Sequence, residues 1–367
     1  MEAVDDVDAR IETVMTRPFR EVAKGYTPFA ENDVIVAKIT PCMENGKCAI
    51  ARNLRSGVGF GSTEFHVLRA TKHVIPEWLY YFWRLPLTRK LAGINMTGSA
   101  GQKRVPARFL EGVQIPLPPL SEQRRIAGQL EQADRLRRTR RSALELSDIF
   151  LPAAFLQLFG DPAVNPHSFD RVQVEQLFSP GRDGAKCGPF GTALKKHEYV
   201  QTGIPVWTMD CVGEMEFRED NCLFITEQKF EELRAYDAQN GDILVSRAGT
   251  VGRMAIVRTS HPRSIIHSNI IRLSLNQARI LPIYFVALMT WFAAQVARLK
   301  RGQEGAYTFM STATLGELWI PVPPLPLQQQ FAALVARHER LRGIQRASLR
   351  QSEHLFTSLL HTAFATG

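Results

Sequence analysis

The hydrophobic positions of this chain follow two patterns, which alternate along it. Short apolar runs, rich in β-branched residues and separated by Gly, Pro and Asn, occupy residues 33–39, 65–68, 242–246 and 264–273. Such runs predict short strands joined by tight turns. Helices packed on those strands are predicted where apolar segments lack internal breakers, at residues 78–84 with 87–94 and at 283–291 with 292–300. The pattern therefore predicts two small α+β domains.

Two longer segments, residues 121–158 and 326–364, have a different character. They are dense in Leu, Ala, Arg, Gln and Glu, contain no Gly-rich or Asn-rich loops, and place apolar side chains at helical spacing. In the second segment an alternating three-four register is formed by Phe331, Leu334, Leu341, Leu355 and Leu359, with His338, Gln345 and Ser348 at the remaining positions. This seam predicts a coiled-coil-like pair of long antiparallel helices that separates the two domains.

The chain also contains an internal repeat with an offset near 205 residues. Ile-Pro-Leu-Pro-Pro-Leu at residues 115–120 recurs as Ile-Pro-Val-Pro-Pro-Leu at residues 320–325, and a Gln follows each copy at the same distance, Gln123 and Gln328. Such a repeat predicts two copies of one unit with pseudo-twofold symmetry. The predicted boundaries are 1–113 for the first α+β domain, 114–163 for a Pro-rich entry and central helix, 164–318 for the second α+β domain, and 319–367 for a Pro-rich entry and C-terminal helix.

The two copies are not equally complete. The second copy contains 38 residues, 171–208, that have no counterpart in the first copy, which begins at the equivalent of Met209. Two explanations stay open at this point. Either the opening strands of the first domain are dispensable, or the true start of the protein lies upstream.

Composition limits the class of protein. The chain has 367 residues, a net charge of +9 and 45% hydrophobic residues, which is too apolar for a disordered tail. None of its five cysteines forms a C-x-x-C pair, so a disulfide framework is not expected. The expected location is the reducing cytoplasm. The longest uncharged stretch, 280–297, includes Pro282, Tyr284 and Gln295, which favours buried helices over a membrane span.

The excess of positive charge indicates a polyanionic partner. Candidate DNA contacts are the basic residues on or beside equivalent strands and turns of the two copies, together with one further pair in the second copy: Lys38, Lys47, Lys103, Arg104, Lys195, Lys196, Arg247, Arg253, Lys300 and Arg301. Lys and Arg on the loops of a rigid domain suit phosphate contacts, and Arg can also read guanine. The densest basic run, residues 135–141, either follows a phosphate backbone or pairs with acids on its own helix and on a partner.

Familiar catalytic motifs do not occur in the sequence. There is no adenine-methyltransferase N-P-P-Y motif, no phosphate-binding loop and no H-E-x-x-H, and residues 188–191, Gly-Pro-Phe-Gly, predict a turn. Asp220, Glu227 and Lys229 resemble the acidic-x-Lys triplet of metal-dependent nucleases, which keeps a stand-alone nuclease open as an alternative. The arginine run favours a third alternative, a coiled-coil scaffold that binds acidic proteins.

The repeated unit resembles the specificity subunit of type I restriction-modification systems. The resemblance rests on Pro-Leu-Pro-Pro-Leu-Ser-Glu-Gln-Arg-Arg-Ile-Ala at 116–127, on the segments 37–47 and 61–65, and on Gly-Asp-Ile-Leu-Val-Ser-Arg at 241–247 with Gly-Thr-Val-Gly at 249–252. It covers essentially the whole chain. The incomplete first copy departs from the family pattern.

This resemblance implies a non-catalytic, DNA-reading subunit. Each of two target recognition domains would read one half of a bipartite DNA site, and the antiparallel helices would set the gap between the halves. The helices would also dock two methyltransferase subunits, and motor-nuclease subunits would join for restriction. S-adenosylmethionine, ATP and Mg²⁺ are then expected on the partner subunits and no cofactor on this chain.

Overall fold

The computed structural model describes residues 1–5, 7–11, 15–99, 101–190, 193–247, 252–297 and 311–365. The chain forms two compact units. The first unit comprises Met1–Glu145 and Gly343–Gly367, and the second comprises Leu146–Arg342. Each unit therefore includes a part of both long helical segments.

The first unit consists mainly of short strands followed by helices. In chain order its elements are α1 (Phe19–Val22), β1 (Thr27–Ala30), β2 (Val34–Ala37), β3 (Cys48–Ile50), β4 (Val58–Gly61), β5 (Phe65–Leu68), α2 (Pro76–Arg84), α3 (Pro86–Ile94), α4 (Ala107–Gly112) and α5 (Leu120–Asp148), whose last turn lies in the second unit.

The second unit repeats this succession and adds strands at its beginning. Its elements are α6 (Phe150–Phe159), β6 (Arg171–Gln173), β7 (Ala185–Cys187), β8 (Ile204–Trp207), β9 (Leu223–Ile225), α7 (Glu227–Glu232), β10 (Ile243–Ser246), β11 (Met254–Ile256), β12 (Ile265–Ile266), β13 (Ile270–Leu273), α8 (Pro282–Ala297), α9 (Thr312–Gly316), β14 (Trp319–Pro321) and α10 (Leu325–Phe364), which ends in the first unit.

The central sheets of the two units have the same antiparallel order. In the first unit the order is β3-β2-β5, and in the second it is β11-β10-β13-β7. The register also corresponds, because Val36 faces Cys48 and His66 and Val245 faces Met254 and Ile271. The extra strand β7 comes from the 38 residues that the first copy lacks. The described part of the first unit therefore leaves β5 as the last strand of its sheet.

Both central strands are fully buried between their sheet neighbours and the helices. All four residues of β2 and of β10 are buried, and α2 and α8 pack on the sheets. Within the stretch 280–297, α8 is divided at Phe292, where the backbone angles are non-helical, so two helices meet at the boundary between the predicted segments 283–291 and 292–300. Residues 284–289 are 0 to 5% exposed, so the first of these helices lies in the core, as predicted.

A glutamine fixes the entry into the long helix of each unit. Buried Gln123 donates from Nε2 to the carbonyls of His73 (2.9 Å) and Pro118 (2.8 Å), and its Oε1 accepts the N–H of Ile75 (3.1 Å). Buried Gln328 bonds the equivalent groups of the second unit: the carbonyls of Arg279 (3.2 Å) and Pro323 (2.7 Å) and the N–H of Leu281 (2.7 Å). The repeated glutamine thus ties each Pro-Pro segment to the preceding helix of its own unit.

The helical segments pair in antiparallel fashion within each unit. In the first, Arg141 bridges to Glu353 (3.0 Å) and Arg137 lies over the ring of Phe356, so numbers fall along α5 as they rise along α10. In the second, His338 contacts Ser147 and stacks on Phe150, whereas Phe331 packs on Phe155. Inside each unit the two helical segments therefore run in opposite directions, and the first helical segment is broken at Ile149.

The predicted seam register of α10 is wrong over part of its length. Leu341 and Leu355 are 50% and 46% exposed, whereas Ser352 and Phe356 are buried. Arg140 donates to the Ser352 hydroxyl, and the Phe356 ring packs beside Tyr81 with centroids 6.2 Å apart. The row of side chains that includes Ser352 and Phe356 therefore faces the interior, in place of the predicted row that includes Leu355.

One helical stretch, Leu120–Phe159, contains an 18-residue window that is long and apolar enough to cross a membrane. Length and composition alone are weak evidence, because core helices pass the same test.

Candidate nucleic-acid interface

The central strands of the two units end at equivalent basic residues. Lys38 directly follows β2, and its N–H donates to the carbonyl of Glu64 (2.9 Å). Arg247 directly follows β10, and its N–H donates to the carbonyl of Asn269 (3.0 Å). The correspondence between the two copies therefore extends from the sequence to the backbone bonds that position these cations.

A second equivalent pair precedes the next strand of each sheet. The Lys47 carbonyl accepts the N–H of Ala37, and the Arg253 carbonyl accepts the N–H of Ser246, both at 2.9 Å. Lys47 Nζ lies 3.5 Å from the Met1 carbonyl oxygen. Exposed Arg253 lines a cavity of about 410 Å³ together with Arg218, Asp210 and Asn221. These two cations therefore stand at the same corner of each sheet as Lys38 and Arg247.

The two remaining candidate DNA contacts of the first unit differ in whether they form an ion pair within the unit. Lys103 is exposed. Arg104 binds the Glu64 carboxylate through Nε and Nη2, both at 2.9 Å. The guanidinium lowers the pKa of Glu64, the carboxylate raises the pKa of Arg104, and the charge of Lys38 contributes to the Glu64 shift. Arg104 is thus held by a carboxylate of its own unit.

The other candidates of the second unit lie outside the sheet. Lys195 and Lys196 are exposed at a short turn, where the Glu198 carboxylate accepts the N–H of Lys195 (2.5 Å). Lys300 and Arg301 lie outside the described residues. The described candidates therefore fall into a sheet-end group in each unit and a separate lysine pair in the second.

The arginine run of α5 serves mainly its own unit. Arg137 and Arg138 bind buried Asp134 at 2.6 Å and 3.3 Å, and Arg84 binds the same carboxylate at 3.2 Å. Arg140 and Arg141 reach α10, where Arg140 donates to the Ser348 carbonyl (2.6 Å). Of the two interpretations of the run, pairing with acids of the same unit describes Arg137, Arg138 and Arg141, whereas Arg140 binds serine oxygens of α10.

Three loops of the second unit meet beside Arg247. Gly188 lies so close to the His267 carbonyl that a Cβ would be 2.1 Å from its oxygen. Two residues on, Phe190 is 60% exposed, and the Arg247 guanidinium lies over its ring at 5.0 Å from the centroid. Burial lowers the pKa of His267, which favours its neutral imidazole. The Gly-Pro-Phe-Gly sequence predicted only a turn at 188–191, and no sequence pattern predicted a role for Phe190 or Asn269.

The nuclease-like triplet does not come together. Glu227 binds Arg263 (2.6 Å), and Lys229 binds Glu198 (2.7 Å) and Glu232 (2.9 Å). Asp220 lies in a separate turn, residues 219–221. Among the described residues, no group of three or more His, Cys, Asp or Glu is placed so that it could hold a metal ion. The geometry gives the nuclease alternative no support.

Comparison with known proteins identifies the family. A model described as the type I restriction modification DNA specificity domain matches residues 17–146 and 190–351. The specificity subunits of the type I restriction enzymes EcoAI and EcoEI of Escherichia coli are 49% and 48% identical over 111 and 109 residues, 30% and 29% of this chain. Those alignments span only 19% and 18% of the two relatives. The MjaVIII specificity subunit of Methanocaldococcus jannaschii is 22% identical over 77% of this chain and 68% of its own length.

Solved structures share the fold. A chain from work described as the structural basis of complex assembly and conformational transition of the type I R-M system has a TM-score of 0.59 at 19% identity, covering 99% of this chain and 89% of that one. The type I restriction-modification S subunit from M. genitalium has a TM-score of 0.57 at 16% identity, covering 91% and 83%. With its matching fold and a family model that covers most of its length, this chain belongs to the type I restriction-modification DNA specificity family.

Proposed function

We propose that this chain is the specificity subunit of a type I restriction-modification system and that each unit reads one half of a bipartite DNA target. One observation carries the proposal: the same sheet corner presents a cation in both units, Lys38 in one and Arg247 in the other, on an equivalent backbone hydrogen bond. Two copies of one scaffold with different side chains at the same place suit a target whose halves differ in sequence. The recognition domains would be residues 1–113 and 164–318.

Affinity and specificity would come from different contacts. Lysines and arginines at the sheet ends and turns would neutralise phosphates, which gives binding that weakens as salt is added. A few side chains in each unit would reach base edges and choose the sequence. Lys47, Lys103, Lys195, Lys196 and Arg253 would belong to the phosphate group because each is a cation at a strand end or a turn; Lys300 and Arg301 remain candidates from the sequence.

The helical segments, residues 114–163 and 319–367, would set the gap between the half-sites and dock two methyltransferase subunits. Apolar side chains that these helices leave exposed in each unit support the docking role. In the second unit they are Leu146, Ile149, Phe150, Leu156 and Leu341, and in the first unit they are Leu136, Ile344 and Leu355. A helical segment that exposes so many large apolar side chains is typical of a surface covered in a complex.

Catalysis would belong to the partners. The methyltransferase subunits would bind S-adenosylmethionine and methylate adenine, motor-nuclease subunits would use ATP and Mg²⁺, and this chain would bind none of these. An adenine inside a duplex must leave the stack before it can be methylated. The contribution of this chain would be to hold the duplex where a partner can flip that base. The complex would work in the cytoplasm.

The test is to co-express the chain with the products of the adjacent genes and to sequence the host DNA for modified adenines. We expect a bipartite motif with a fixed gap that disappears when this chain is deleted. In a matched strain whose chain carries Lys38→Ala and Arg247→Ala, the complex should still form. After purification, that complex should fail to methylate DNA at moderate salt in vitro. A complex that forms without producing any modified motif, or DNA cleavage by the purified chain with Mg²⁺, would refute the proposal.

A further inference from the structure

The corner of the second unit beside Arg247 is a rigid platform built from three loops. Gly188 is in contact with the His267 carbonyl and excludes any larger residue at that point. The next loop is tied down where the Arg247 N–H donates to the Asn269 carbonyl (3.0 Å). The Ser268 hydroxyl lies 3.3 Å from Nδ1 of His267. A platform held by backbone contacts can keep a side chain in one orientation, which sequence reading requires.

Arg247 is oriented on this platform but not neutralised there. Its guanidinium is 5.0 Å from the centroid of the Phe190 ring, a favourable cation–π arrangement. Within the part of the chain that the structure describes, no carboxylate forms an ion pair with it, and Nη1 is buried without a hydrogen-bond partner. Unsatisfied guanidinium donors cost free energy until an acceptor reaches them. One guanidinium donor of Arg247, Nη1, therefore has no acceptor among the described residues.

The equivalent corner of the first unit has different chemistry. Lys38 occupies the Arg247 position, and Glu64 occupies the Asn269 position and is already bound by Arg104. A lysine ammonium is a point charge that suits phosphate, whereas the planar arginine fork matches two acceptors in one plane. Guanine presents O6 and N7 in the major groove as such a pair, and Arg bonding to both is the commonest base-specific contact.

We propose that Arg247 reads a guanine in the half-site of the second unit, that Phe190 is the positioning residue that holds its guanidinium, and that Lys38 at the matching place contacts only phosphate. This inference rests on the proposed function and assigns a base-reading group within it. Because the two corners differ, the half-site of the second unit would require a guanine at the Arg247 contact, whereas the half-site of the first unit would accept any base at the Lys38 contact.

The test measures competition between duplexes for the purified complex of full-length chain and methyltransferase subunits. Starting from the methylated motif, each base pair is replaced in turn. Wild-type complex should prefer guanine at one position of one half-site, and Arg247→Lys should reduce that preference roughly tenfold to a hundredfold. Preference at every other position should stay unchanged. Phe190→Leu should weaken the same preference for guanine, whereas Phe190→Tyr, which keeps the aromatic ring, should leave it unchanged.

Lys38→Ala is the matched control because it alters the equivalent place in the other unit. It should weaken binding to all duplexes equally and reduce the salt dependence. Thermal unfolding of the Arg247→Lys complex is measured alongside, and an unchanged transition excludes misfolding. Equal weakening of all duplexes by Arg247→Lys, or an unchanged preference at every position, would overturn the assignment of Arg247. A wild-type complex with no sequence preference would overturn the proposed function and this inference with it.

Discussion

Replacing Gln123 by Ala should destabilise the first unit through three lost hydrogen bonds. The side chain is fully buried, and its bonds to His73, Pro118 and Ile75 are 2.8 to 3.1 Å long. Each net contribution is about 1 kcal/mol. The expected loss is therefore about 3 kcal/mol, which corresponds to a fall in Tm of roughly 6 to 12 °C for a unit of this size.

The assay is urea unfolding of the full chain, followed by hydrogen exchange of the amides in residues 73–84, which report on the first unit. Gln129→Ala is the matched control because that glutamine is exposed on the same helix, and its effect should stay within about 0.5 kcal/mol. Gln328→Ala should produce a similar loss in the second unit. If Gln123→Ala is no more destabilising than the control, water replaces the side chain at no cost and the reasoning about desolvated backbone groups is wrong.

Three further perturbations test other contacts of the two units. Asp134→Ala leaves the arginines that surround it without their shared counter-ion and should cost about 3 to 5 kcal/mol, measured by urea unfolding; no change would mean that these arginines are solvated. Tyr284→Phe removes the bond from the buried hydroxyl to the Pro321 carbonyl (2.8 Å) and should cost about 1 kcal/mol, seen as a lower unfolding midpoint, whereas an unchanged midpoint would argue against that bond. Hydrogen bonding to Arg69 lowers the pKa of Asp33, so this pair stabilises the fold above pH ~4 and the gain disappears as pH falls through the lowered pKa. The slope of unfolding free energy between pH 6 and 3 should therefore flatten in Asp33→Asn, and an unaltered slope would refute the assignment.

The sequence predicted the scaffold well because the scaffold depends on local patterns. Apolar runs with breakers located β2, β5 and β10 to within a few residues, since buried central strands must be apolar throughout, whereas the run 264–273 forms two strands, β12 and β13, of different sheets. The repeated Gln after each Pro-Pro-Leu marked positions that prove to make the same three backbone contacts. The internal repeat pairs each residue with a counterpart in the other copy, so a residue type that recurs at the same place indicates the same structural role.

Other features depend on contacts that one sequence does not encode locally. Neighbouring rows of α10 both carry apolar residues, and only the packing of Phe356 and Ser352 against the first unit decides which row turns inward. The arginine run could not be assigned because Arg84, which shares Asp134 with it, lies 50 residues away in the chain. Phe190 could have been noted as an aromatic residue in a Gly-Pro turn, but its place beside Arg247 follows only from three loops meeting.

Among the described residues β5 is the last strand of its sheet, and this position has a consequence for solubility. A strand at the end of a sheet offers unpaired backbone groups to any other chain with a similar edge, and proteins counter this with short strands and charges. In the second unit β7 covers the equivalent edge of β13. In the first unit β5 is only four residues long, Glu64 precedes it and Arg69 follows it, and each of these charges is fixed by an ion pair. In the part of the chain that the structure describes, the short length of β5 and the charge at each of its ends are the features that disfavour edge-to-edge pairing.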